Sequence, residues 1–401
     1  MRYLHLLACV LLAATPAVAA PDRLPEEPRV FPILAWGGPP QDQTTVERFR
    51  ELAECGFTYN YSGYSSDEAV TKALDVCKET GVKLVPSWPE LQKDPEGTAR
   101  RFKANPGLGG YYLRDEPAAV HFPELAAWAK RIQSVDADHP CYINLYPNYA
   151  PPDALGTPTY QAYVERFLAE VPTPFLSFDH YPVVGNGLRG EWYQNLEVVS
   201  AAARKANKPF WAFALSVAHG PYPVPSMAHL RVQANSNLAY GAQGLQYFTY
   251  WTTQSDTWNF HEGPIRVDGT RSPVYDRVRD VNREVQALRP VFLGAKVHAV
   301  AHTGETLPAG TKRFETEGPV ESLKTEGQGA VVSRLAKADR QFLVVVNRDI
   351  TKGMSLELRF KDGTAAHVVN KKDGTLGDEV KSAARIDVAP GDAAIFTWAV
   401  R

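Results

Sequence analysis

The chain has 401 residues, of which 44% are hydrophobic, 22% are charged and 11% are aromatic. This composition excludes a disordered chain, and the length suits one large domain followed by a smaller one. The formal net charge of -2 gives no field that would attract nucleic acid, so we expect no nucleic-acid partner.

The first twenty residues have the pattern of a secretory signal peptide. An apolar run over residues 6–14 is followed by the small residues Ala17-Val18-Ala19-Ala20, which a signal peptidase accepts. We therefore predict an exported protein, periplasmic or extracellular, whose mature chain begins at Ala20 or Pro21. No later stretch is apolar enough to span a bilayer, so no membrane insertion is expected after the signal is removed.

The cysteines do not indicate a disulfide framework. Cys9 lies in a sequence that is similar to a lipoprotein box, but too few residues precede it for both a charged and an apolar region. Cys55, Cys77 and Cys141 are an odd number, and their spacings fit no zinc pattern. We expect them to be buried apolar residues.

From residue 30 to residue 288, short β-type runs alternate with amphipathic helical stretches. We predict eight strands, over residues 30–35, 57–61, 83–88, 109–113, 141–145, 175–178, 209–216 and 245–251. The helices between and after them are predicted over residues 44–55, 66–80, 95–104, 122–135, 160–171, 191–207, 227–242 and 274–288. Eight strand–helix units in about 260 residues predict a (βα)8 TIM barrel in the α/β class. A doubly wound open sheet is the competing architecture, but no glycine-rich phosphate turn supports it.

The pattern changes after Phe292. Short alternating runs over residues 297–301, 330–335, 342–346, 356–360, 366–369 and 393–398 predict a small C-terminal β-sandwich. We therefore divide the chain into a signal peptide (1–20), a (βα)8 catalytic barrel (21–292) and a β-sandwich (293–401). The sandwich carries no cluster of reactive side chains, so we expect it to be structural or accessory.

The fourth predicted strand ends in Arg114-Asp115-Glu116-Pro117. Active sites of (βα)8 barrels lie at the carboxyl ends of the strands. Two adjacent carboxyl groups in a barrel mouth repel each other and lose solvation, which raises the pKa of at least one of them. Glu116 is therefore the candidate general acid, and Asp115 is the neighbour that sets its pKa. The alternative is an Arg114–Asp115 ion pair, with Glu116 capping the next helix.

This motif resembles the Asn-Glu-Pro of a large clan of retaining (βα)8 glycoside hydrolases, in which the glutamate is the acid/base. The run Tyr247-Phe248-Thr249-Tyr250-Trp251 and a small β-sandwich after the barrel are also similar to that clan. The resemblance implies a glycosidase with Glu116 as its acid/base. Two departures stand against a full match: Asp115 replaces the asparagine, and the seventh strand carries no nucleophilic carboxylate.

The second carboxylate must therefore come from another strand. Asp179, at the end of the sixth strand, is the nearest candidate, because strands two apart in a barrel lie roughly 10 Å apart. Other retaining barrel hydrolases use acids on strands four and six, so Asp179 is assigned as general base or nucleophile. Asp256 and Glu262, on the loop after the eighth strand, are held in reserve.

The remaining strand ends supply candidate sugar-binding side chains. Faces for stacking on sugars are expected from Trp36, Trp88, Tyr250 and Trp251. Contacts to the substrate are expected from Asn60, Asp115, Asn144, His180 and Tyr181. His180 and His219 with Asp179 suggest a three-ligand metal set, but no histidine spacing supports it, so we expect no metal and no cofactor. Ser216 with His219 as a nucleophilic pair has even less support, because no G-x-S-x-G turn is present.

We therefore predict an exported glycoside hydrolase that cleaves an oligo- or polysaccharide at the carboxyl rim of a (βα)8 barrel. Two alternatives stay open. The missing acid on the seventh strand favours a non-catalytic carbohydrate-binding barrel. A polysaccharide lyase would act on uronic acids with a Tyr or His base, and with Arg114 or Arg189 binding the carboxylate.

Overall fold

The structure is a computed structural model that describes Leu24, residues 26–381 and residues 383–400. The predicted signal peptide (1–20) lies outside the described residues. None of the described helices combines the length and the apolar composition that a bilayer crossing requires.

Eight parallel strands form the first sheet and confirm the predicted (βα)8 barrel. They are β1 (Ile33–Trp36), β2 (Tyr59–Gly63), β3 (Lys83–Ser87), β4 (Tyr111–Asp115), β5 (Cys141–Leu145), β6 (Leu176–Phe178), β7 (Phe210–Leu215) and β8 (Gly244–Phe248). Their order is β3-β2-β1-β8-β7-β6-β5-β4. Main-chain hydrogen bonds from Leu84 to Gly107 (2.8 Å) and from Gly109 to Leu84 (2.7 Å) bring β3 next to the chain that enters β4. The sheet therefore closes on itself.

Helices surround this sheet. They are α1 (Val46–Glu54), α2 (Asp67–Thr80), α3 (Pro89–Lys93), α4 (Pro95–Phe102), α5 (Phe122–Gln133), α6 (Pro152–Leu155), α7 (Tyr160–Glu170), α8 (Trp192–Lys205), α9 (Met227–Ala239), α10 (Pro273–Ala287) and α11 (Arg289–Phe292). The cap of α1 is Thr45, which accepts a hydrogen bond from the N–H of Arg48. Gly81 ends α2 in the left-handed conformation.

The C-terminal part is all-β and antiparallel, which confirms the predicted second fold. Its strands are β9 (Lys296–His302), β10 (Val320–Thr325), β11 (Ala330–Lys337), β12 (Arg340–Asn347), β13 (Met354–Phe360), β14 (Ala366–Val369), β15 (Leu376–Val380), β16 (Ala383–Val388) and β17 (Ala393–Ala399). A six-stranded sheet (β9-β11-β12-β17-β14-β15) packs on a three-stranded sheet (β10-β13-β16). Sequence reasoning missed β10, β15 and β16, because polar residues occupy much of each.

Helix α9 joins the two parts. On one side Gln233 accepts the N–H of Leu215 in β7 (2.9 Å). On another side Asn235 donates to the carbonyl of Gly391, just before β17 (3.2 Å). Residues from Leu230 to Ala239 are almost all buried, because the helix lies between the barrel and the six-stranded sheet. One apolar core runs through both parts, so the division at residues 292 and 293 stays a prediction.

Candidate active site

A β-bulge in β4 turns Asp115 into the barrel. Tyr112 lies opposite Tyr142 of β5 and Asp115 lies opposite Asn144, so three steps along β4 match two steps along β5. Side chains alternate between the two faces of a strand, and one extra residue shifts that alternation. Because Leu113 is the extra residue, both Tyr112 and Asp115 face the interior.

Glu116 follows in a left-handed conformation. Its φ is +44°, which a residue with a side chain rarely adopts and which costs about 1–3 kcal/mol. Its N–H donates to the carbonyl oxygen of Asn144 at 2.8 Å. The carbonyl of the next residue, Pro117, accepts the hydroxyl of Tyr163 at 2.6 Å. These two hydrogen bonds hold the turn and place the Glu116 carboxyl at the mouth of the barrel.

Asp179 reaches the same place from β6. Ser177 and Asp179 are two residues apart and point to the same face of the strand. The N–H of Asp179 donates to the carbonyl of Leu145 at 3.3 Å, which continues the strand pairing for one residue past β6. The Oδ1 atom of Asp179 is buried and has no hydrogen-bond partner among the described residues.

The three carboxyl groups raise one another's pKa. Burial and the charge of Asp115 raise the pKa of Glu116 to about 7, while hydrogen bonding with Asp179 acts in the opposite direction. Burial, then the charges of Glu116 and Asp115, raise the pKa of Asp179 well above its usual range. Asp115 is the most exposed of the three; the barrel wall still desolvates it and raises its pKa. Near neutral pH the cluster therefore holds at least one proton.

A buried polar network supports the carboxyl groups from below. Asn144 donates to Asp115 Oδ1 at 3.0 Å and accepts from the Ser177 hydroxyl at 2.9 Å. Gln246 of β8 donates to Ser177 at 2.9 Å, and Tyr142 hydrogen-bonds to both Ser177 and Gln246. Hydrogen-bonded in this way, buried polar groups stiffen a site. Of these four, sequence reasoning found only Asn144, since the others lie within strands and not at their ends.

Aromatic rings form the floor of the mouth on the β1–β4 side. The ring of Trp36 lies 4.3 Å from that of Tyr61 and 5.6 Å from that of Tyr112, measured between centroids. Trp36 is only 8% exposed. Trp36 therefore lies beneath the site, and little of its ring is accessible to a substrate.

A recess of about 500 Å³ adjoins this side. It is lined by the loops after β1, β2 and β8, including Gly37, Tyr61, Trp251 and Thr252. Because Tyr61 belongs both to the floor and to the recess, the recess is continuous with the mouth. Trp251 lines this recess, and its ring packs under the guanidinium of Arg48 at 5.2 Å.

Of the residues assigned to sugar binding, Tyr250 and Asn60 point elsewhere. Tyr250 is fully buried, and its ring packs on Phe57 outside the strand barrel at 5.4 Å. Trp88 donates its indole N–H to Asp67 of α2 at 2.9 Å and packs on Phe102 in the helical layer. The assignment of Tyr250 is therefore corrected, because its ring belongs to the core. Trp88 also lines a recess of about 540 Å³ together with Tyr112 of the floor, so its assignment stays a prediction.

Asn60 is the second correction. It is fully buried and alternates with Tyr59 and Tyr61, whose rings join the barrel interior. Its Nδ2 donates to Ser62 at 3.2 Å. A Cβ at Gly38 would overlap Asn60 Oδ1, so Asn60 packs against the loop after β1 and does not reach the mouth.

The β5–β7 side of the mouth is formed by tyrosines, histidines and one arginine. Tyr181 is close enough to hydrogen-bond with Asp179 and thereby opposes the rise in the pKa of that carboxyl. His180 is 1% exposed, its ring lies edge-on to Tyr149, and neither ring nitrogen has a partner among the described residues. Burial and the charge of Arg189 lower the pKa of His180 to about 3. The imidazole is therefore neutral.

The structure also bears on the metal site and on the Ser216–His219 nucleophilic pair. No group of three or more His, Cys, Asp or Glu suited to a metal ion occurs in the part of the chain that the structure describes. Ser216 donates to the carbonyl of Thr249 at 2.9 Å, so its hydroxyl is not directed at a histidine. The interior positions of β7 and the residues after it are apolar, namely Phe213, Leu215 and Val217.

The reserve carboxylates are less suited to acid–base work. Asp256 is exposed on the loop after β8. Glu262 forms an ion pair with Arg266 at 2.7 Å, and this hydrogen bond lowers its pKa. Glu262 therefore stays ionised and cannot serve as a proton donor near neutral pH.

Comparison with known proteins gives the class of fold. No protein-family model matches the sequence, and no curated protein matches it. Among solved structures, a catalytic mutant of a GH42 β-galactosidase from G. stearothermophilus superposes with a TM-score of 0.61 at 9% identity, over 92% of this chain and 98% of that one. The fold is thus that of the (βα)8 glycoside hydrolases.

Two further solved structures also superpose on this chain at low sequence identity. A GH27 β-L-arabinopyranosidase from Geobacillus stearothermophilus, in complex with arabinose, gives a TM-score of 0.52 at 11% identity, over 93% of this chain and 98% of that one. A β-galactosidase from the psychrophilic Marinomonas ef1 gives 0.48 at 12% identity, over 64% of this chain and 60% of that one. The chain therefore spans about three fifths of the length of that enzyme. The structural neighbours are glycosidases, and at these identities they define the fold alone.

Proposed function

We propose that the protein hydrolyses a glycosidic bond of an oligo- or polysaccharide at the mouth of the barrel. The observation that carries this proposal is the carboxyl cluster of Asp115, Glu116 and Asp179, which holds a proton near neutral pH. Glycoside hydrolysis needs one carboxyl group that donates a proton and one that acts as base or nucleophile. Two coupled carboxyl groups that share one proton near neutral pH provide the protonated donor and the ionised base or nucleophile together.

In this mechanism Glu116 protonates the leaving oxygen and Asp179 activates water or attacks the anomeric carbon. Asp115 is fixed by Asn144 and keeps the pKa of Glu116 high through its charge. Tyr181 hydrogen-bonds to Asp179 and favours its ionised form. The apolar interior of β7 supports a division of labour between β4 and β6, in place of the β4 and β7 pair of the clan that the sequence resembles.

One observation favours the reverse division of roles. The Oδ1 atom of Asp179 is buried and has no hydrogen-bond partner among the described residues, so this carboxyl group is more costly to ionise than Glu116. Asp179 would then be the acid and Glu116 the base or nucleophile. Because the two groups titrate as a pair, kinetics on variants must assign the roles.

A lyase is disfavoured by the state of the tyrosines. A lyase base of this type must lose its phenolic proton, whereas burial and the neighbouring carboxylates raise the pKa of both Tyr149 and Tyr181. A screen of neutral and uronate polysaccharides tests the proposal. We expect new reducing ends without ultraviolet absorbance; unsaturated products would indicate a lyase, and binding without cleavage would indicate a binding protein.

We also propose that the protein is exported. The support is the sequence pattern of residues 1–20. A polysaccharide substrate too large to cross a membrane is consistent with this location.

A further inference from the structure

Arg189 lies on the same side of the mouth as Asp179. Its guanidinium carbon lies 4.6 Å from the ring centroid of Tyr149 and 5.8 Å from that of Tyr222. Nη2 donates to the Tyr222 hydroxyl at 3.1 Å. Tyr222 in turn packs edge-on against Tyr181, the neighbour of Asp179, at 6.0 Å. The two rings hold the guanidinium plane in one orientation, and Tyr149 lies within the electrostatic influence of both Arg189 and Asp179.

This guanidinium keeps unused hydrogen-bond donors. Nε is buried and has no partner among the described residues. Nη1 lies 3.6 Å from Glu191 Oε1, which is longer than the roughly 2.7–2.9 Å of a direct hydrogen bond between such ions. The Arg189 side chain is 28% exposed; because Nε is enclosed, Nη1 and Nη2 are the donors that remain for a ligand. A planar, oriented guanidinium with free donors is suited to an oxyanion.

We propose that Arg189 binds an anionic substituent on the sugar next to the scissile bond, either the carboxylate of a uronic acid or a sulfate ester. Tyr149, which is 37% exposed, offers a ring face beside the guanidinium for the sugar itself. This inference rests on the proposed function, because it names the class of sugar that the same site accepts. It places the charged group on the β5–β6 side and the rest of the chain toward the recess at Tyr61.

The test measures binding and needs no turnover. Full-length wild-type protein is titrated by ligand-observed NMR with glucuronate, galacturonate, glucose 6-sulfate, galactose 6-sulfate, glucose and galactose. We expect at least one anionic sugar to bind about tenfold or more tightly than its neutral counterpart. The carboxylate and sulfate arms identify which oxyanion is preferred. Equal or weaker affinity for all four anionic sugars would overturn the inference without any variant.

Variants then assign the preference to this residue. Arg189→Met keeps the stem and removes the charge, so anionic sugars should bind this variant no more tightly than their neutral counterparts do. Arg189→Lys keeps the charge without the planar fork and should retain a smaller preference. Arg100→Met on α4, an exposed arginine outside the mouth, is the matched control and should behave like wild type. A preference that survives in Arg189→Met would overturn the assignment.

Failure of this inference differs from failure of the proposed function. Hydrolysis of neutral glycosides that depends on Glu116, without a preference for anionic sugars, would leave the function standing and remove the subsite. Arg189-dependent binding of a uronate by a protein that cleaves no glycoside would confirm the subsite and contradict the proposed function.

Discussion

The carbonyl oxygen of Asn144 accepts the N–H of Glu116 at 2.8 Å. The side-chain amide of the same asparagine donates to Asp115 Oδ1 at 3.0 Å. One residue of β5 therefore fixes the backbone of the candidate acid and the side chain of its charged neighbour. The bulge at Leu113 is what allows both contacts, because it turns Asp115 toward β5.

Replacing Asn144 should disturb catalysis more than folding. Asn144→Ala leaves Asp115 without its donor and the Ser177 hydroxyl without its acceptor, which should cost about 1–3 kcal/mol of stability. The pKa of Asp115 should rise, its charge should be present less often, and the pKa of Glu116 should fall. We expect the alkaline limb of the pH–rate profile to move to lower pH. The profile is compared with that of Asn105→Ala, at a half-buried position outside the mouth; an unmoved limb would contradict the role of Asn144.

The carboxyl cluster should make the fold less stable as the pH rises. Glu116 has a pKa of about 7 in the folded protein against an ordinary value of 4.5, so between these values the folded state binds more protons than the unfolded state. Stability must then fall with rising pH across that window. Asp179 is shifted in the same direction and adds to this loss.

Neutral variants should remove this loss. We expect Glu116→Gln and Asp179→Asn to be more stable than wild type at pH 8, by about 1–3 kcal/mol after allowance for partial exposure, and less so at pH 5. Urea unfolding at the two pH values measures the difference. If both variants were equally destabilised at pH 5 and pH 8, the carboxyl groups would not carry the raised pKa values described here.

The C-terminal β domain should be needed for solubility. Helix α9 is buried between β7 and the six-stranded sheet, and Val331, Val344 and Ile395 of that sheet belong to the same core as the barrel helices. Deleting the chain from Gly294 onward would expose this apolar surface. We expect the truncated protein to aggregate on expression. Fractionation of the lysate and light scattering measure this aggregation. A truncated protein that remained monomeric with unchanged turnover would show that the domain is dispensable.

Processing at the N-terminus can be tested directly. Cleavage after Ala19 or Ala20 would leave a mature chain that begins at Ala20 or Pro21. The intact mass of the secreted protein, measured by mass spectrometry, should match one of these two chains. A diacylglycerol adduct on Cys9 would identify a lipoprotein.

The sequence predicted the elements well, because apolar periodicity is local. The eight strand–helix units follow from it, and so does the meeting of Asp115, Glu116 and Asp179, since the carboxyl ends of parallel strands share one rim. What it could not predict is the face on which a side chain lies after a strand ends. Tyr250 was expected at the mouth and lies in the core, while the bulge that turns Asp115 inward has no local sequence signature.

The supporting network was missed for a related reason. Ser177 and Gln246 lie in apolar runs, and their partners come from other strands far away in sequence. A polar residue at an inward position of a buried strand is the signal that could have found them. Arg189 was considered only as a carboxylate partner for a lyase; its position between Tyr149 and Tyr222 depends on three separate loops.

The central claim is that Glu116 and Asp179 act as the acid and base or nucleophile of glycoside hydrolysis. The most direct test is the turnover of Glu116→Gln on two glycosides of the same sugar, one with a poor alcohol leaving group and one with an activated phenol. Glu124→Gln is the matched control, because it makes the same change at an exposed glutamate of α5 outside the mouth. Asp179→Asn is measured alongside.

If Glu116 donates the proton, Glu116→Gln should lose about 10²- to 10⁴-fold on the poor leaving group and far less on the phenol. Asp179→Asn should slow both substrates, because both need the base or nucleophile. An exchange of these two patterns would assign the proton to Asp179 and keep the pair. Near-wild-type turnover of Glu116→Gln on the poor leaving group, together with full activity of Asp179→Asn, would contradict the account.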